Sequence, residues 1–169
     1  DAMSTNHTFF FRETAHFDFL KNTVLPAMAS KDAAHPKFHV WSAACSSGEE
    51  PYSLALLLAD YYGAKPAQWT IDCTDISTKV LKKAQEAIFP ADRLAEVPPA
   101  MIEKYFQKGI GEWAGHLRVR DDLKKHLTFQ RVNLLGARYP FKEPYDLIVC
   151  RNVMIYFDKP TQEELVNKF

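Results

Sequence analysis

A chain of 169 residues is one domain's worth, and its 21 basic residues balance 21 acidic ones, so charge makes no case for nucleic acid or an anionic membrane. No apolar run is long enough to span a membrane, and no signal peptide opens the chain. Cys45, Cys73 and Cys150 are odd in number and each lies in or beside an apolar strand, which fits a reduced compartment and neither a disulfide framework nor a zinc site. Asp1-Ala-Met3 reads as a cloning scar, so the domain proper is expected over 4–169. The polar run Ser4–Thr8 precedes an aromatic-rich helix over about Phe11–Met28. Phe38–Ala44 is apolar and β-favouring, a buried strand. Helix Pro51–Tyr62 follows, with its proline in the first turn and Gly63 as the stop. A second strand is predicted over Trp69–Thr74, then a helix over about Thr78–Ile88 with Ser77 as cap. Strands at about Leu127–Val132 and Tyr145–Cys150 and a last helix from about Pro160 to Phe169 complete the order. Strands alternating with helices predict an α/β fold with a mainly parallel sheet and right-handed crossovers.

One crossover is too long. Between Pro90 and His126 lie a short helix (Pro99–Phe106), a glycine-punctuated stretch (Gly109-Ile-Gly-Glu-Trp-Ala-Gly115) and the alternating run Leu117-Arg-Val-Arg120. Structureless loops of that length are uncommon, so a small antiparallel β-subdomain is expected, inserted at about 106–126.

The chemistry concentrates where predicted strands end. After Phe38–Ala44 comes Cys45-Ser-Ser-Gly-Glu-Glu-Pro51: strand, turn and helix, the nucleotide-binding corner of an open α/β sheet. The phosphate-binding glycines are missing, since Gly48 stands alone, and a helix start carrying Glu49 and Glu50 repels a diphosphate and suits a cation. A nicotinamide-dependent oxidoreductase, which needs that glycine-rich turn, is therefore disfavoured. Glu50 also stands three residues after Ser47, at capping-box spacing, and either caps its helix or faces a ligand. Asp75 ends the second strand, as a plain turn residue or as a carboxylate for two ribose hydroxyls. Asn133 ends the third, as a turn residue or an adenine contact, and Arg151-Asn152 end the fourth. Four polar positions at four strand ends would line one crevice. Arg12, beside three phenylalanines, is costly to bury alone; it either pairs with Glu13 or another carboxylate or holds a substrate carboxylate in its fork. Tyr156 by itself reads as a core or rim aromatic, and His16 and the other histidines lack ligand spacing.

These residues resemble a family. Thr5-Asn-x-Thr-x-Phe-Phe-Arg-Glu13 with His16-Phe17, Trp41-Ser-Ala-Ala-x-Ser-x-Gly-Glu-Glu-Pro-Tyr-Ser53, Asp75-Ile76, Val132-Asn-Leu-Leu135 and Cys150-Arg-Asn-Val-Met-Ile-Tyr-Phe-Asp158 resemble, in order, the chemotaxis receptor methyltransferases of the CheR family. The resemblance runs from Ser4 onward. It implies a class I S-adenosylmethionine-dependent methyltransferase, Rossmann-like, that esterifies glutamate side chains of bacterial chemoreceptors and releases S-adenosylhomocysteine. The family's cofactor contacts fall on Asn6, Thr8, Arg12, Glu50, Asp75, Asn133, Leu134, Arg151 and Asn152, with Glu49 the alternative to Glu50. Asp75 would take the ribose and Asn133 and Leu134 the adenine, while Arg12 and Tyr156 resemble the residues flanking the methyl group and the incoming carboxylate. No metal is implied. A ligand ending in an ammonium and a sulfonium also accounts for the acidic corner.

The expected setting is cytoplasmic, at receptor arrays, as a monomer acting on the helical cytoplasmic region of the receptors, without nucleic acid or membrane insertion. In some members the β-subdomain binds the receptor's C-terminal tail by strand addition, and the Gly109–Gly115 turn resembles that subset. The pattern departs from the family at both ends. Members usually carry a helical domain before the Thr-Asn-x-Thr motif, and further strands after Phe169 that complete the sheet. A catalytically silent cofactor-binding or receptor-docking module is the alternative reading.

Overall fold

The computed structural model describes residues 8–29, 37–63, 68–141 and 143–169. Its main sheet holds four parallel strands in the order β6-β2-β1-β7: β1 (Lys37–Ala43), β2 (Gln68–Asp75), β6 (Leu127–Arg131) and β7 (Leu147–Val149). β1 lies between β2, paired from Lys37↔Gln68 to Ala43↔Thr74, and β7, paired from Val40↔Leu147 to Ser42↔Val149. Five of its seven residues are buried, as expected where both faces of a parallel sheet are covered. Period two divides them between two cores. Phe38 and Val40 join the larger cluster, while Trp41 and Ala43 meet Tyr139, Phe141, Tyr145 and Phe169 on the other side.

The chain passes from β1 through α3 (Glu49–Tyr62) to β2 and later returns to the far side of β1 as β7. The strand order thus reverses at β1, and the crevice for a ligand opens at the carboxyl ends beside it. Ten of the fourteen residues of α3 are buried, from Glu49 to Tyr62, so this helix is enclosed nearly all round and does not ride on the surface. At the other end of the sheet Trp69 stacks on His126 with ring centres 3.9 Å apart, and His126 Nδ1 lies 3.0 Å from the Trp69 carbonyl oxygen.

The expected helix over Phe11–Met28 is shorter and interrupted. It comprises α1 (Thr14–Phe19), a π-helical turn (Leu20–Val24) and α2 (Leu25–Ala29). Pro26 has no N–H to close a regular turn, which accounts for the widened one before it. The start moves to Thr14 because Phe11 and Glu13 adopt positive φ values of 55° and 60°. Phe10 and Phe11 are buried and Phe11 N donates to Ser53 Oγ at 2.9 Å, so tertiary contacts override local helix preference.

The insertion contains the antiparallel sheet expected there, with one strand more. α4 (Thr78–Glu86) ends two residues earlier than predicted, capped by Ala87 at φ of 57°, and Ile88–Pro90 becomes β3. A 3-10 turn (Ala91–Leu94) and α5 (Pro99–Tyr105) follow, then β4 (Phe106–Lys108) and β5 (His116–Val119), in the order β3-β5-β4. Gly109 is required by close approach, because a Cβ there would meet the Trp113 carbonyl oxygen at 2.0 Å. A short helix, α6 (Asp121–Lys124), leads to β6, and α7 (Lys159–Lys168) closes the described chain, its N-cap Asp158 accepting from Thr161 N at 3.0 Å.

Gly48 decides the corner between β1 and α3. Its φ is 104°, and an added Cβ would lie 3.0 Å from the Ala84 methyl. Gly48→Ala is therefore expected to cost about 1–3 kcal/mol of unfolding free energy, read by urea denaturation. A midpoint equal to that of the wild type would contradict this account of the turn.

Candidate functional site

Each carboxyl end of the main sheet delivers polar side chains to one rim. The β1–α3 turn is sharply bent, with Ala44, Ser46 and Gly48 at φ values of 61°, 52° and 104°. Non-glycine residues in that region cost energy, and they cluster at functional sites. Ser46 N donates to Asp75 Oδ2 and Ser77 N to Asp75 Oδ1, both at 2.9 Å, so the carboxylate at the end of β2 ties two loops together. Each oxygen retains a lone pair for a further donor. The Ser77 side chain makes no cap bond to α4.

The capping-box expectation for Ser47 and Glu50 fails. Ser47 Oγ donates to Glu49 Oε2 at 2.6 Å, and the N-cap of α3 is Gly48. Glu49 is 3% exposed, and burial raises its carboxyl above the ordinary range. Glu50 turns the other way. Its Oε1 accepts from Ser42 Oγ at 2.9 Å, and Oε2 lies 3.5 Å from Arg151 Nη1. Burial is the main cause that pushes the Glu50 carboxyl up from 4.5 to about 7, against the opposing pull of Ser42, Arg151 and Arg12.

Arg151, two residues past β7, binds this corner to the amino-terminal segment. Nη2 donates to the Arg12 carbonyl oxygen and, at 2.9 Å, to Glu13 Oε2; the guanidinium carbon sits 5.5 Å from the centre of the Phe17 ring. Asn152, at φ of 58°, donates from Nδ2 to Glu13 Oε1 at 3.1 Å. These two donors, Asn152 first, hold the Glu13 carboxyl below its ordinary range. Glu13 thus serves Arg151 and Asn152, where the sequence offered it as a partner for Arg12.

The structure brings Arg12, Glu50, Arg151 and Asn152 into one cluster and sets Asp75 beside it across the corner turn. Asn133, after β6, is exposed and accepts from Leu135 N at 3.0 Å through Oδ1, which leaves its amide NH2 to donate elsewhere. Leu134 is buried, and its carbonyl oxygen accepts from the Tyr139 hydroxyl at 2.9 Å. Tyr156 is half-exposed on a 3-10 turn (Met154–Tyr156) five positions beyond Arg151, and its hydroxyl bonds to no other described residue. The Thr8 carbonyl oxygen accepts from Arg93 Nη1. Asn6 lies outside the described residues. Sequence reasoning missed Ser42, Arg93 and the role of Glu13. The hydroxyl at position 42 inside an apolar strand was the one visible signal among these.

The matching family model is the CheR methyltransferase SAM-binding domain, over residues 6–169. The chain belongs to the CheR methyltransferase family. It is 43% identical to the chemotaxis protein methyltransferase of Borreliella burgdorferi, with 100% of this chain and 60% of that protein covered. It is also 43% identical to the one from Salmonella typhimurium and 41% to that of Escherichia coli, each again over 100% of this chain and covering 56% and 57% of those proteins. The chain thus spans less than two thirds of the length of the curated relatives it matches. S-adenosylmethionine is the cofactor of this CheR domain, and the donor set fits it. Burial raises the Glu50 carboxyl, which favours a further cation beside it, and Arg151 Nε is buried with no hydrogen-bond partner among the described residues, an N–H suited to a carboxylate.

A carboxyl whose folded value is raised contributes stability that is complete below about pH 4.5 and is lost as pH rises through about 7. Glu50→Gln lacks that transition. Across this window the stability of the ligand-free wild type relative to the variant should fall by up to about 3 kcal/mol, read by urea unfolding at several pH values. A difference independent of pH would refute this state of Glu50.

Proposed function

We propose that this CheR domain transfers a methyl group to glutamate carboxylates in the helical cytoplasmic region of bacterial chemoreceptors, forming glutamate methyl esters. The largely buried Glu50 carboxylate, 16% exposed and 3.5 Å from Arg151 at the carboxyl edge of the sheet, carries the reading. S-adenosylmethionine, when bound, supplies a sulfonium methyl that a carboxylate oxygen attacks, the carbon–sulfur bond breaking with its electrons left on sulfur. Glu50 would hold the ammonium of its aminoacyl end and Arg151 the carboxylate, with Asn152 and Thr8 as further contacts. Asp75 would take the ribose diol, and Asn133 and the Leu134 backbone the adenine.

No general base is required of this chain. A glutamate acceptor, with an ordinary pKa of about 4.3, is already ionised at neutral pH. The protein's contribution is alignment and exclusion of water, because opposite charges become neutral products. Arg12 would orient the incoming carboxylate without stabilising its ground state more than its transition state. Tyr156, half-exposed and five positions past Arg151 in the chain, would close the acceptor side.

The β-subdomain adds a docking role. β4 is an outer strand of its sheet, and Ile110 and Trp113 in the adjoining turn are 85% and 49% exposed. A cleft of about 270 Å³ lies there, lined among others by Gln107, Trp113, His116 and Arg118. An extended receptor tail would add a strand to β4 and seat side chains in this cleft.

Arg12→Ala should leave the calorimetric affinity for S-adenosylhomocysteine within about tenfold while lowering methyl transfer to a receptor fragment by about a hundredfold or more. Equal turnover would remove Arg12 from the acceptor side, and no binding of S-adenosylhomocysteine by the wild type would overturn the whole reading. A receptor tail peptide should bind the wild type and lose affinity in Trp113→Ala, by fluorescence anisotropy. Unchanged affinity in the variant would place the tail elsewhere.

A further inference from the structure

Arg93 has no part in the roles assigned above, yet it grips the segment that presents Thr8 and Arg12. Its Nη1 donates to the Thr8 carbonyl oxygen, and its own carbonyl oxygen accepts from Phe10 N at 3.0 Å. One residue thus brackets three positions of the amino-terminal segment through both side chain and main chain. Nη1 also lies 4.0 Å from Oε1 of the buried Glu49, whose other oxygen is held by Ser47 and whose carbonyl oxygen accepts from Ser53 Oγ at 2.6 Å. Ser53 Oγ in turn accepts from Phe11 N. Glu49 therefore stands between the corner turn and the segment, linked to both.

Arg93 is itself placed by the inserted subdomain. It belongs to the 3-10 turn directly after β3, and Ala91 N within that turn donates to the Gly115 carbonyl oxygen at 2.9 Å. Phe10, fully buried, packs edge-on against Phe89 of β3 and Phe106 of β4 with ring centres 5.0 and 5.8 Å apart. The segment carrying Arg12 is thus wedged between the main sheet and the subdomain.

We infer that Arg93 is a positioning residue, and that the β-subdomain, beyond any docking role, braces the Thr8–Arg12 segment against the cofactor corner through it. The clamp itself needs no ligand; its consequence for methyl transfer rests on the function proposed above. The guanidinium donates to the Thr8 carbonyl oxygen while its charge faces the Glu49 carboxylate, so Arg93→Lys, with one ammonium, keeps charge and reach but not the fork.

The test measures hydrogen exchange of the Phe10 and Phe11 amides in the ligand-free protein, then affinity for S-adenosylhomocysteine, then methyl transfer. Arg93→Ala should speed exchange at these amides at least tenfold over the wild type, weaken binding about tenfold or less, and lower kcat at saturating cofactor by about thirtyfold or more. Arg93→Lys should fold as the wild type does, judged by circular dichroism, and fall between the two in exchange and kcat. Millimolar guanidinium should raise turnover of Arg93→Ala and leave the wild type unchanged, a rescue that loss of global stability would not produce. Wild-type exchange at Phe10 and Phe11 in both variants overturns the clamp. Faster exchange with unchanged kcat overturns the positioning role. A wild type that neither binds S-adenosylhomocysteine nor transfers methyl refutes the proposed function instead, with the exchange result still deciding whether Arg93 holds the segment.

Discussion

The site hangs on the Arg151 guanidinium. Three segments distant in sequence meet there: the Arg12-Glu13 loop, the first turn of α3 through Glu50, and the strand end that carries Arg151 itself. Its side chain is 13% exposed, so the charge is largely removed from water and demands compensation. Two carboxylates, a carbonyl oxygen and an aromatic face supply it. Breaking one contact leaves the others to carry a buried cation, so the cluster holds as a unit.

Two carboxylates share this cation unequally, and the inequality has chemical meaning. Glu13 is exposed enough to stay solvated and is held ionised by Asn152 and Arg151. Glu50 is nearly enclosed, and its ionisation is opposed by burial. The first serves as a structural counter-ion. The second keeps an unsatisfied demand for positive charge, which is what a carboxylate needs if it is to select a cationic ligand over a neutral one. A helix start bearing acids in place of glycines, anomalous for a dinucleotide corner, becomes intelligible in those terms.

Much of this was legible in sequence wherever the physics is local. β1, β2 and β6 announce themselves as β-favouring apolar runs, α3 by its proline and its long apolar stretch, and the strand-end residues by being polar where such runs stop. What was not legible depends on partners far along the chain. Glu13 meets Arg151 and Asn152 across 138 and 139 positions, and the helix start shifts to Thr14 in the same region. Arg93 reaches Thr8 across 85. Ile88 and Phe89 continue a helical pattern locally and become a strand only because β5 offers an edge. The spacing of Ser47 and Glu50 satisfied a local rule that the positive φ of Gly48 defeats.

The tryptophans have an optical consequence. Trp41 is buried in the core on one face of the sheet, Trp69 is stacked on His126 at the opposite end from the ligand crevice, and Trp113 is half-exposed in the inserted turn. Three indoles thus occupy three distinct solvents: an aromatic interior, the face of an imidazole, and water. Emission from single-tryptophan versions of the chain would separate loosening of the subdomain from melting of the main sheet.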